Sequence, residues 1–108
     1  MEDKIEPTHS VSDPRAHYRE LLNTYKTANE KLHDLSWRLH DIDEEIAVLV
    51  RECADLSAEA AEALQQQVTD LRFWKSTLED MILRQMLRID ELGSTLAHLR
   101  RSLNESER

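Results

Sequence analysis

Between Tyr18 and Leu56 the apolar residues fall at Tyr18, Leu21, Tyr25, Ala28, Leu32, Leu35, Leu39, Ile42, Ile46, Leu49, Cys53 and Leu56. The steps alternate between three and four. That spacing keeps one stripe of an α-helix apolar and defines a heptad seam with Tyr18 at position a and Leu21 at position d. A strand would need period two, which this stretch lacks. A second run follows through Ala61, Leu64, Val68, Leu71, Lys75, Leu78, Ile82, Gln85, Ile89, Leu92, Leu96, Leu99 and Leu103. It alternates in the same way, with Lys75 at a and Gln85 at d as its only polar members. The pattern predicts an all-α chain with helices over about residues 14–55 and about 58–104.

The two runs are out of step. Extending the first frame puts an a position at residue 60, whereas the second run places it at Ala61. One continuous helix with a skipped residue, in a parallel coiled coil, would carry this slip. So would a break that folds the chain into a long antiparallel αα-hairpin. Local chemistry favours the break. Ser57 is a good N-cap, Glu59 suits the positive end of the helix dipole, and Leu56 and Ala61 stand where a hydrophobic staple forms. The residues from Ala58 to Ala63 are strong helix formers, and no Gly or Pro enforces a turn there. The hairpin is the expected architecture, the continuous helix its alternative. A turn centred on Leu56 would bring Trp37 level with Lys75 and its neighbour Trp74. Asp34 and Asp41 would then be candidate partners for the Lys75 ammonium.

Asp13 before Pro14 reads as an N-cap followed by proline at the first helical position. Residues 1–13 have no periodicity and are expected to form a disordered tail, and residues 105–108 a frayed one. Gly93 reads as a tolerated surface glycine.

Several large apolar residues lie off the seams. Leu22 and Val50 fall at e and Trp37 at f in the first frame. In the second, Phe73 and Leu87 fall at f, Trp74 and Met81 at g, Leu83 at b and Met86 at e. They widen the apolar stripe beyond what one partner helix covers. A dimer of hairpins, giving a bundle of four helices, buries them most simply. A docking patch for a different helical protein is the sharper alternative, with Trp37, Phe73, Trp74, Met81, Leu83 and Met86 as the interaction residues. Lys75 and Gln85 inside the seam are candidates for fixing register and partner choice, or long side chains that reach the seam's edge.

Composition narrows the classes further. The 108 residues suffice for one domain. One glycine, two prolines and 33% charged residues belong to long helices, not to a turn-rich β fold. The net charge of −8 argues against nonspecific binding to nucleic acid or to an anionic membrane surface. No apolar run approaches the length of a membrane span or a signal peptide, so insertion and secretion are not expected. The single cysteine, Cys53, fits a reducing compartment, cytoplasmic or nuclear. The Asn104, Glu105, Ser106 sequon would matter only in a secreted protein.

No pattern points to chemistry. His33 and His40 are seven apart, whereas two metal ligands on one helix need a spacing of three or four. Asp41, Asp43, Glu44 and Glu45 wrap round the helix without calcium-loop spacing. One glycine cannot build a phosphate loop. The reading is therefore non-enzymatic, with no catalytic residue, metal or cofactor; a small helical enzyme or ligand-binding bundle is the remote alternative.

Two resemblances cover parts of the chain. Leu39, His40, Asp41, Ile42, Asp43, Glu44, Glu45 and Ile46, continuing to Leu49 and Val50, resemble the first helix of AroQ-type chorismate mutases. That family needs arginines where Ser36 and Cys53 stand, so the resemblance does not extend to binding a dianionic substrate. Leu71 to Leu78, with Trp74 between them, is similar to the tryptophan-bearing third helix of spectrin-type repeats, which implies a structural element of a tether or cytoskeletal assembly. In those repeats the tryptophan lies four after one leucine and three before the next. Trp74 lies three after and four before, and a full repeat has three helices where this pattern predicts two.

Overall fold

The computed structural model describes residues 13–106. The tail expected over residues 1–13 lies, apart from Asp13, outside the described residues. Two helices account for nearly all that is described: α1, Pro14–Ala54, and α2, Ala58–Ser106. They form an antiparallel hairpin, and the continuous helix does not form.

Each boundary has a local cause. Asp13 Oδ1 accepts from the backbone N–H groups of Arg15 (3.2 Å) and Ala16 (3.3 Å), which start α1 with no earlier carbonyls to bond. At the other end the N–H groups of Asp55 and Leu56 turn back to the carbonyls of Glu52 and Cys53, tightening the final turn. Ser57 then opens α2. Its hydroxyl accepts from Ala60 N–H at 3.4 Å, and its carbonyl takes the first helical bond, from Ala61 N–H, at 2.8 Å. Arg51 in the last turn of α1 and Glu59 in the first turn of α2 each match the helix dipole beside them. The chain therefore reverses on capping alone, without glycine or proline. Leu56 stays exposed while Ala61 is buried, so the expected staple does not shield Leu56; at the turn no helix runs beyond to cover it.

The hairpin divides into two compact units. In the unit Lys31–Gln85, Leu35, Ile42 and Leu78 form the buried cluster, with Leu39, Ile46, Leu71, Met81 and Ile82 packed against it. Leu78 is fully buried, the only large side chain among the described residues to be so. In the second unit, of described residues through Glu30 with Met86 onward, Ala28, Ile89 and Leu96 are buried. Gly93 is half-buried beside this interior and covered by Tyr25, which corrects its reading as a surface glycine. A β-carbon placed on it would meet the Tyr25 ring at 3.5 Å. The heptad frame puts Gly93 at an e position, beside the seam, and an e position of α2 faces α1 closely enough for a tyrosine ring to cover it.

Candidate functional site

With the exception of Leu56, every residue of the two apolar rows is buried or half-buried. Cover is nevertheless uneven. Along α1 the central d residues Ala28, Leu35 and Ile42 are buried and the outer ones Leu21 and Leu49 half-buried, whereas the a residues Tyr18, Tyr25, Leu32, Leu39, Ile46 and Cys53 are all only half-buried. The hairpin leaves the a edge of α1 partly open along its length, whereas buried residues fall in both rows of α2.

Outside the rows, the exposed apolar residues are large. Phe73 is 74% exposed, Trp37 56% and Trp74 46%; Leu83, Met86 and Leu87 are each about half exposed. Met81 behaves differently. It packs against the Leu35, Ile42 and Leu78 cluster, so it serves the hairpin's own interior. It also borders a recess of about 170 Å³ with Lys31, Leu35, Arg84 and Gln85.

Trp37 organises its own surroundings on α1. Its ring stands edge-on to His33, with centroids 6.2 Å apart, and to His40 at 5.7 Å. His33, Ser36, Trp37 and His40 line an open recess of about 320 Å³. His40 Nε2 lies 3.6 Å from Glu44 Oε2, an ion pair when the imidazole is protonated. The sequence pattern weighs His33 and His40 only as metal ligands, for which a spacing of seven is unsuitable, and does not anticipate this cluster. The signal was present: Trp37 stands four residues after His33 and three before His40, the spacings that bring helix side chains together.

Trp37 and Trp74 are not ring partners, contrary to the level match expected from a turn centred on Leu56. The pairing is staggered. Lys75 Nζ reaches Asp43 Oδ1 at 2.8 Å, six residues nearer the turn than its simple mirror position, and not Asp34 or Asp41. In the other unit Gly93 meets Tyr25, also six residues nearer the turn than its mirror position. The physical reason lies at the reversal. Residues 55–57 carry the chain sideways between helix axes roughly 8–10 Å apart, which offsets α2 along α1.

Lys75 keeps its long stem in the seam and its ammonium at the edge. The hydrogen bond to Asp43, and then that carboxylate's charge, raise its pKa above the ordinary 10.5 against the opposing effect of desolvation. Gln85 is 9% exposed, and no buried side-chain nitrogen or oxygen among the described residues lacks a hydrogen-bond partner. A polar side chain thus sits satisfied inside the seam.

Near the turn, Val50, Cys53, Gln65, Val68, Thr69 and Arg72 line a groove of about 390 Å³. Cys53 is a free thiol whose Sγ donates to Ala61 O at 3.8 Å. Among the described residues no group of three or more His, Cys, Asp or Glu converges as a metal site, and no helix is long and apolar enough to cross a membrane. No family model, curated protein or solved structure matches the chain, so the reading of this surface rests on its own residues.

Proposed function

We propose that the chain is a non-enzymatic structural or adaptor protein that works by helix-face association, chiefly with itself, as a dimer of hairpins. The observation that carries this reading is the half-covered seam: six consecutive a positions of α1 keep part of their apolar surface in water. Apolar area left open along a whole row is stabilised by a further helix, since burial contributes roughly 25 cal/mol per Å². Leu22 and Val50 beside that row extend the same surface. Within each hairpin, Lys75 bonded to Asp43 and the buried Gln85 are polar positions that favour one register of α2 on α1.

A second reading, an obligate subunit of a hetero-oligomeric helical complex, is favoured by one observation. Phe73 and Trp37 lie at f positions, away from the seam, and yet are the two most exposed aromatics. Aromatic anchors on an outward face suit a different protein. The free Cys53 supports action in a reducing compartment, cytoplasmic or nuclear.

Sedimentation velocity with light scattering on the purified chain tests the first reading. A helical dimer or tetramer at micromolar concentration is the expected result. A folded chain that stays monomeric at every accessible concentration would sink self-association and leave the hetero-complex.

A further inference from the structure

We infer that α1 is the self-association helix and that it pairs antiparallel with α1 of a second copy, across a two-fold axis at Ser36. This rests on the self-association proposed above and adds its face, direction and centre.

The face follows from burial. In α2 the corresponding rows are interrupted by buried members, Val68, Leu78, Ile89 and Leu96 among them. Only the a row of α1 is half-buried from one end to the other. It is therefore the continuous apolar edge that a further helix can follow.

The centre follows from reciprocity. A two-fold interface requires that if residue i meets residue j, then j meets i. The e row of α1 beside the open edge is Leu22, Asn29, Ser36, Asp43 and Val50. Its two exposed apolar members, Leu22 and Val50, stand at equal distances on either side of Ser36. An axis at Ser36 places Leu22 on the partner's Val50 and Val50 on the partner's Leu22. It also brings Leu32 to within one residue of level with the partner's Leu39, and Tyr25 to within one residue of the partner's Ile46. Ser36 is small enough to let two helices approach closely where they cross. Asn29 then faces the partner's Asp43, whose charge is already met by Lys75.

The direction follows from charge. Residues 14–35 of α1 carry four bases (Arg15, Arg19, Lys26, Lys31) and three acids. Residues 37–54 carry two bases (Arg38, Arg51) and five acids (Asp41, Asp43, Glu44, Glu45, Glu52). Parallel pairing sets acidic half against acidic half. Antiparallel pairing sets the acidic half against the basic one, which lowers repulsion and specifies orientation. A second copy has the complementary halves by construction.

The test uses the full-length chain. In a Cys53→Ser background, Ser36→Cys is oxidised gently, with Ser76→Cys on α2 as the control. The expected result is a covalent dimer through residue 36 and none through residue 76, because a disulfide needs Cα atoms within about 7 Å. Val50→Asp, at an exposed position, should leave helicity unchanged and raise the dimer dissociation constant about tenfold or more. A dimer that neither cross-links at residue 36 nor weakens with Val50→Asp overturns the α1 face and leaves self-association standing. A folded monomer at all concentrations overturns both.

Discussion

Replacing Gly93 with alanine tests whether the interior of the terminal unit is as tight as a glycine in a helix contact would imply. Gly93 lies within α2 and faces the Tyr25 ring across the hairpin. A β-carbon there would stand 3.5 Å from Tyr25 Cε1 and 3.9 Å from Tyr25 Oη, ordinary van der Waals separations that require no atom to move. Two effects therefore act with the same sign. Alanine is favoured over glycine inside a helix by about 0.8–1 kcal/mol, mostly through the freedom that glycine retains in the unfolded chain. The added methyl also gains contact with the ring instead of clashing with it. Gly93→Ala should stabilise the protein by about 1 kcal/mol, raising Tm by about 4–8 °C for a domain of this size. Urea and thermal melts followed by circular dichroism, at matched chain concentration because association shifts Tm, read the change. Gly93→Leu is the contrast: its further atoms enter the space of the ring, and it should be less stable than Gly93→Ala. A loss of stability in Gly93→Ala would refute the reasoning. It would mean that the Tyr25 ring stands closer, or that a second backbone approaches Gly93 in the assembled protein.

Three further outcomes are expected. Lys75→Met removes the ion pair with Asp43. Because the folded-state pKa of Lys75 is raised above 10.5, the pair's contribution is fully present below that pH and lost as pH climbs through the raised value; melts of the two proteins should converge in strong alkali, and a difference that stays constant would contradict this. Ser57→Ala removes the hydroxyl that caps Ala60 N–H and should cost about 1 kcal/mol in urea unfolding, with Ser57→Asp restoring most of it. Leu78→Ala empties the most buried position and should cost about 2–5 kcal/mol, whereas Trp37→Ala, exposed on α1, should leave the hairpin's melting within about 1 kcal/mol of the parent.

The helical class, the two seams and both N-caps were legible in the sequence because each depends on neighbours along the chain. Heptad spacing decides which stripe is apolar, and a serine or aspartate before a helix bonds N–H groups two or three residues on. The one-residue slip between Leu56 and Ala61 also marked where the chain could reverse, though it left a continuous helix open. The tertiary structure decided between them, and with that choice came the features that no period encodes. The stagger of α2 along α1 gave Lys75 to Asp43 in place of Asp34 or Asp41, and separated Trp37 from Trp74. The rotation of each helix about its axis turned Gly93 and Met81 inward. It also buried Ala28, Leu35 and Ile42 while leaving the a row of α1 half open. Offset and rotation are set by how side chains of one helix fill the gaps of the other, a property of two surfaces in contact and not of either sequence run alone.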